Sequence, residues 1–283
     1  MKKINFTTLF LTLINLFLLG GCKIAVLDPK GTIAEQQKNL IYTSVWLMLI
    51  VVIPVMVLTL VFAYRYRESN KNAKYEPDYC ENHKLEVVWW AIPIVIISIL
   101  GVITWKTSHT LDPYRPLERQ VKPIEIQVVA LDWKWLFIYP EQGVASVNQI
   151  QIPTGVPINF KITAQAPMNA FWIPQLAGQI YAMEGMQTLL HIEANKPGSY
   201  EGVSANFSGR GFNGMKFVVN AGSEAEYLSW IEAAKKSPER LTQERYNDLA
   251  QPSENEKVQT FSFVEDNLFM SIMMKYMMPG SCH

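Results

Sequence analysis

The sequence predicts a membrane protein in which a two-helix transmembrane hairpin precedes an all-β domain and a C-terminal helical segment. Three observations indicate this class. Three apolar blocks lie within about the first 105 of the 283 residues, short alternating runs follow from residue 123, and helix-forming runs follow from residue 222. The 25 Lys and Arg residues balance 25 Asp and Glu residues. This balance gives no indication of a nucleic-acid partner.

The first apolar block has the layout of a lipoprotein signal peptide over residues 1–21. Lys2 and Lys3 form a basic start, an apolar core begins at Leu9, and the stretch LGGC ends at Cys22. Two glycines directly before a cysteine resemble a bacterial lipobox. We therefore expect cleavage before Cys22 and acylation of that residue, for example by palmitate. The alternative is a plain signal peptide with an incidental cysteine.

The second and third blocks are predicted to span a bilayer as residues 40–64 and 87–106. The first is uncharged over its 25 residues, which make a helix of about 37 Å. Both blocks end in aromatic and basic residues that are typical of membrane interfaces. Two buried helices of a soluble protein are the alternative.

The loop between the two predicted spans, residues 65–86, sets their orientation. Basic residues concentrate there, so the positive-inside rule places this loop in the cytoplasm of a bacterial cell, with residues 22–39 and the main domain on the periplasmic side of the inner membrane. An acylated Cys22 on the outer face requires the same orientation, because two spans return the chain to its starting side. Cys80 is then expected to be a free thiol, and three distant cysteines give no disulfide framework.

The outer domain is predicted over residues 123–221 and the helical tail over residues 222–283. Short strands separated by Gly and Pro turns predict an antiparallel sandwich or barrel. The strand-like runs are residues 124–131, 147–153, 158–163, 188–194 and 215–221. The tail has helical runs in EAEYLSWIEAAKK and PERLTQERYNDLAQ, and a third run is expected to begin near Phe263.

Two further features bear on metal binding. Methionines at helical spacing near the C-terminus could bind copper(I), but flexible packing is favoured because such stripes are usually contact surfaces. This stripe contains Met270, Met273, Met274, Met277 and Met278, followed by Cys282 and His283. The four histidines are scattered, and His191 in TLLHIEA is predicted to be a sheet residue without ligand partners.

Several motifs together resemble subunit II of the haem–copper respiratory oxidases. Glu86, Trp89 and Pro93 in EVVWWAIP keep the arrangement E-x-x-W-x-x-x-P, and DWKWLFIYPEQG is an aromatic segment of the same type. The resemblance covers residues 34 to 220 and implies a cupredoxin-like Greek-key fold for the outer domain. The lipobox, LDPKG, QIYAMEGMQT and the helical tail are similar to the quinol-oxidising, cytochrome o branch of that family.

The loop SANFSGRGFNGM, residues 204–215, carries the strongest functional signal within this resemblance. In copper-containing relatives it reads C-x-E-x-C-x-x-x-H-x-x-M, and with an earlier His it holds two copper ions. A hydroxyl cannot replace a bridging thiolate and Phe cannot ligate, so the resemblance implies a loop without copper, with Met215 a core residue. The corresponding positions here are Asn169, Ser204, Asn206, Ser208, Phe212 and Met215.

The resemblance implies subunit II of a proton-pumping terminal ubiquinol oxidase. In the family two haems, one copper and the quinol site belong to subunit I, so this chain would be a structural and assembly subunit without catalytic residues or cofactors. Its expected partners are subunit I, further small membrane subunits, the bilayer and, through the complex, ubiquinol, but neither nucleic acid nor cytochrome c. Glu86 matches a residue near a proton-uptake path, although a first-turn acidic residue has a structural explanation too.

Two other functions stay open from the sequence. One is a copper-containing electron-transfer subunit of a cytochrome c oxidase. The other is an independent scaffold lipoprotein of the cell envelope.

Overall fold

The computed structural model describes residues 24–74 and 82–277. Two long helices, α1 (Thr32–Arg65) and α2 (His83–Thr110), precede a two-sheet β-sandwich and a tail with three short helices. The tail helices are α3 (Glu224–Lys235), α4 (Gln243–Leu249) and α5 (Leu268–Met274). The strands are β1 (Ile124–Leu131), β2 (Lys134–Tyr139), β3 (Val144–Val147), β4 (Gln149–Pro153), β5 (Ile158–Ala164), β6 (Asn169–Trp172), β7 (Ile180–Ala182), β8 (Thr188–Ile192), β9 (Gly198–Ser204), β10 (Lys216–Gly222) and β11 (Gln259–Phe261).

Helices α1 and α2 are long and apolar enough to cross a membrane, and the most apolar window of each has no buried residue. Asn82 caps α2, because its side chain accepts hydrogen bonds from the backbone N–H groups of Lys84 and Leu85. Helix α1 begins at Thr32, before the apolar block that starts at residue 40, so its first turns are polar. This polar start lies against the sandwich.

The buried carboxylate of Glu193 joins the start of α1 to the sandwich. Its Oε2 atom accepts a hydrogen bond from the Thr32 hydroxyl at 3.1 Å and from the Arg119 guanidinium at 2.6 Å. Gly31 fits this contact because a Cβ there would lie 2.6 Å from the carbonyl oxygens of Glu193 and Leu176. The hairpin and the sandwich are therefore tied together by side chains from three parts of the chain.

The two sheets have mixed pairing, in contrast to the antiparallel sandwich expected from strand spacing. One sheet has the order β11-β3-β2-β1-β5-β8 and the other β4-β10-β9-β6-β7. Strand β1 pairs with β5 in parallel, as does β4 with β10, and the remaining pairs are antiparallel. Parallel neighbours arise because the chain crosses between the sheets before it returns, as in a Greek key. The predicted hairpin, cupredoxin-like Greek-key domain and C-terminal helical segment are confirmed.

Strand β2 is buried on both faces. Its alternate residues Trp135 and Phe137 point into the core between the sheets, where Phe171 and Phe217 stack with centroids 4.9 Å apart. The intervening residues belong to a second core covered by α4, β11 and α5. Because both faces are apolar, KWLFIY lacks the alternation that marks a half-buried strand.

The tail is less helical than expected. Helix α3 matches its predicted run and begins with a capping box in which Ser223 and Glu226 exchange side-chain and backbone hydrogen bonds. Strand β11, however, pairs with β3 and extends the first sheet. The third helix begins at Leu268 and not near Phe263, because Val264 forms a β-bridge with Leu241 and Asn267 has a left-handed conformation (φ 61°) directly before the helix.

Candidate functional site

The positions that correspond to the copper ligands of relatives lie at one end of the sandwich, between β9, β10 and the start of β6. Ser204 ends β9 and Asn169 begins β6, and both are buried. The Ser204 hydroxyl donates to Asn169 Oδ1 at 2.9 Å, and the Asn169 amide nitrogen donates to the Pro167 carbonyl at 2.7 Å. The fold therefore brings together the positions that correspond to the first thiolate and the earlier histidine, and neutral hydrogen bonds join them.

The middle of the loop is held by hydrogen bonds to neighbouring segments. The Asn206 amide nitrogen donates to the Met168 carbonyl at 2.7 Å, and the Trp133 indole donates to the Ser208 carbonyl at 3.0 Å. The Ser208 hydroxyl is buried and has no hydrogen-bond partner among the described residues. The position of the second thiolate is thus enclosed by protein.

The last two positions are filled by apolar contacts. Phe212 begins a short 3-10 turn, and its ring contacts Phe207 edge to face with centroids 5.5 Å apart. The Met215 side chain is 1% exposed and belongs to the core between the sheets. The core placement predicted for Met215 agrees with this burial.

The groups at these positions differ from the ligands of a thiolate and imidazole copper centre. They are hydroxyls, amides, an aromatic ring and one thioether, and neither imidazole nor thiolate is among them. Soft copper centres need thiolate and imidazole ligands. Within residues 24–74 and 82–277, no group of three or more His, Cys, Asp or Glu side chains is placed to hold a metal ion.

Trp133 is the site residue that the sequence did not reveal. Its φ of 63° is rare for an aromatic residue, and its indole packs closely against Gly211. A Cβ on Gly211 would lie 2.4 Å from the indole ring. The available signal was the pair of glycines in SGRG, since glycine often marks a close approach of another group.

The remaining predicted residues lie elsewhere. Glu86 is in the first turn of α2, its side chain is exposed, and a ring nitrogen of His83 lies 3.6 Å from its carboxylate. The His191 ring, in β8, forms a hydrogen bond with the Pro113 carbonyl at 2.8 Å, as expected of a structural residue. Cys22, Cys80, Met278, Cys282 and His283 lie outside the described residues.

The methionine stripe does not form one surface. Met273 is a buried residue of α5, while Met270, Met274 and Met277 are exposed. Met273 is therefore buried together with Leu268, Phe269 and Ile272 and is not part of an exposed stripe.

Comparison with known sequence families gives two matches. Residues 23–106 match the transmembrane domain of cytochrome c oxidase subunit II, and residues 235–280 match the COX aromatic-rich motif. Among solved structures, the periplasmic domain of subunit II of cytochrome oxidase from Bradyrhizobium japonicum aligns with a TM-score of 0.39 and 24% identity, over 42% of this chain and 98% of that chain. Both matched segments are of the oxidase subunit II type.

Relatives with known names narrow this class. The cytochrome bo(3) ubiquinol oxidase subunit 2 of Pseudomonas putida is 51% identical over 98% of this chain and 88% of that protein. The ubiquinol oxidase subunit 2 of Acetobacter aceti is 53% identical over 92% of this chain and 85% of that protein. The chain belongs to the ubiquinol oxidase subunit 2 family.

Proposed function

We propose that the chain is the copper-free subunit II of a proton-pumping terminal oxidase that oxidises ubiquinol and reduces O₂ to water. The observation that carries this proposal is the contact between Ser204 and Asn169, where a hydroxyl and an amide occupy two positions that need a thiolate and an imidazole. Electrons that come from a membrane quinol need no copper relay to a soluble cytochrome. In this proposal haems and one copper belong to subunit I, and this subunit stabilises and helps to assemble the complex.

The copper content of the purified complex tests this function. We expect one copper per two haems and no mixed-valence binuclear signal in electron paramagnetic resonance. Three copper ions per complex with such a signal would instead indicate an electron-transfer subunit of a cytochrome c oxidase. Purification without any haem-containing subunit would favour an independent scaffold lipoprotein.

We also propose a periplasmic location for the sandwich, with the chain anchored in the inner membrane by two spans and by lipid on Cys22. The proposed segments are a signal peptide (1–21), an outer segment (22–39), spans (40–64 and 87–106), a cytoplasmic loop (65–86), the outer domain (123–221) and the tail (222–283). The length and exposure of α1 and α2 support the spans. Mass spectrometry of the N-terminal fragment, compared with a Cys22→Ser variant, tests the acylation.

Glu86 is the proposed contribution of this chain to proton uptake. Its place in the first turn of α2, exposed and on the cytoplasmic side of the proposed topology, supports this role. We expect Glu86→Gln to lower turnover and proton pumping of the intact oxidase. Glu68→Gln is a matched control, since Glu68 is an exposed carboxylate of the same proposed loop. Turnover that is equally unchanged in both variants would leave Glu86 only the structural role of an acidic residue in the first helical turn.

A further inference from the structure

A six-residue segment of the tail, residues 251–256, lies beside the loop of residues 204–215. This segment, which we name the brace, connects α4 to β11 and has the sequence QPSENE. It falls inside the aromatic-rich motif, although it contains no aromatic residue. Residues of the brace contact both the sandwich and the loop.

The ammonium group of Lys134 attaches the brace to the sandwich. Lys134 lies in β2 and is 1% exposed, and its Nζ atom donates to the Gln251 carbonyl at 2.8 Å and to the Ser253 hydroxyl. The Glu256 carboxylate lies 3.9 Å away and accepts from the same hydroxyl. Burial lowers the pKa of Lys134, while Glu256 and Asp132 oppose this shift. A buried amine requires such partners, and the brace supplies them.

A second attachment lies at the end of the brace. The Asn148 amide nitrogen donates to the Glu256 carbonyl at 2.9 Å, while its oxygen accepts from the Trp135 backbone N–H at 2.9 Å. Asn148 has a φ of 56°, a conformation that asparagine tolerates better than most residues. The brace is thus held at both ends by side chains of the sandwich.

The centre of the brace contacts the loop. The Arg210 guanidinium donates to the Glu254 carboxylate at 2.6 Å. Gly214 packs against Asn255 so closely that a Cβ on this glycine would lie 2.5 Å from the asparagine side-chain oxygen. The Trp133 indole packs against Gly211 of the same loop. Trp133 and Lys134 are adjacent residues, so the chain at the start of β2 contacts the loop directly through Trp133 and indirectly, by way of the brace, through Lys134.

We propose that residues 251–256 position the loop of residues 204–215, with Lys134 as the anchor of this arrangement. The brace supplies a carboxylate to Arg210, whereas the loop side chains of Ser204 and Asn206 form only neutral hydrogen bonds. Phe207 is 77% exposed and lies between loop residues that contact Trp133 and the brace. Part of the aromatic-rich motif thus positions the loop of residues 204–215, and this role is independent of whether the subunit binds copper.

Hydrogen exchange of the intact oxidase, measured by mass spectrometry, tests this role. Lys134→Met removes the ammonium and keeps the length of the side chain, and Arg210→Ala/Glu254→Ala removes the contact between brace and loop. The matched control is Lys216→Ala/Glu201→Ala, an exposed ion pair of 2.9 Å between β10 and β9 that does not involve the brace.

Amides of residues 205–215 are expected to exchange about 10-fold faster in Lys134→Met, since two charged hydrogen bonds are lost, and about 3-fold faster in the Arg210/Glu254 variant. Exchange in β1 and β5 stays unchanged, which separates loss of positioning from general destabilisation. Reversal of the pair, Arg210→Glu/Glu254→Arg, restores protection of the loop.

Unchanged loop exchange in the Arg210→Ala/Glu254→Ala variant would overturn the proposal, even if Lys134→Met does not assemble. The proposal is equally refuted if the Lys216/Glu201 control accelerates loop exchange as much as the brace variant does. In that case the loop would respond to any loss of charge at this end of the sandwich.

Discussion

The clearest test of the Met215 assignment is a pair of substitutions that separate core packing from metal ligation. Met215 is 1% exposed within the core that also contains Trp135 and Phe171. Met215→Ala removes buried apolar atoms and leaves a cavity, which costs about 2–5 kcal/mol in comparable cores. Met215→Leu keeps most of the volume and is expected to cost less than about 1.5 kcal/mol.

These free energies convert into melting temperatures. A domain of this size loses about 2–4 °C per kcal/mol, so a cost of about 3 kcal/mol predicts a decrease of about 6–12 °C for Met215→Ala. The assay is thermal unfolding of the sandwich, followed by tryptophan fluorescence in the purified protein, with copper content measured on the same samples. A leucine variant as destabilised as the alanine variant, with copper lost from both, would refute the assignment of Met215 to the core.

Three further predictions concern the same domain. Gly211→Ala places a Cβ 2.4 Å from the Trp133 ring, so we expect overpacking to cost about 1–3 kcal/mol and to shift the tryptophan emission. Ser204→Ala leaves the buried Asn169 oxygen without its 2.9 Å donor and is expected to cost about 1–3 kcal/mol in denaturant unfolding; an unchanged midpoint would contradict this. Burial, with the Glu141 charge, raises the pKa of Tyr227 from 10.0 to about 12, so the folded state keeps this phenol neutral after the unfolded chain ionises. The contribution of Tyr227 to the free energy of unfolding is then complete below about pH 10 and is lost between about pH 10 and 12. In Tyr227→Phe the free energy of unfolding is therefore expected to fall less steeply with pH in that range.

Local sequence patterns predicted a large part of the fold. Strand β1 matches its predicted run, and the runs at residues 158–163 and 188–194 correspond to β5 and β8, because each alternates or is rich in β-forming residues. Strand β6 was missed because it is only four residues long. Strand β2 was missed because its two faces are buried by different layers, and periodicity reports a strand only when one face is polar.

For the candidate site, too, the sequence predicted one part and the tertiary structure decided the other. The resemblance of the loop of residues 204–215 to the copper loop of relatives was sufficient to indicate that thiolate and imidazole are missing at Ser204, Ser208 and Phe212, since ligand chemistry is a property of residue type. The partner of Ser204, however, is Asn169 on another strand, and the indole that supports the loop belongs to Trp133. Contacts between residues distant in sequence depend on how the sheets are paired.

The sequence by itself determined the two apolar helices, the outer β-domain and the absence of thiolate and imidazole at the loop positions, because hydrophobic length, alternation and side-chain chemistry are local properties. Only the tertiary structure decided that the tail adds β11 to the first sheet and that residues 251–256 join Lys134 to Arg210 and Gly214. A buried ammonium is satisfied by whichever carbonyl and hydroxyl groups the fold places beside it. Those groups are 117 and 119 residues away from Lys134 along the chain, and no local pattern marks them as its partners.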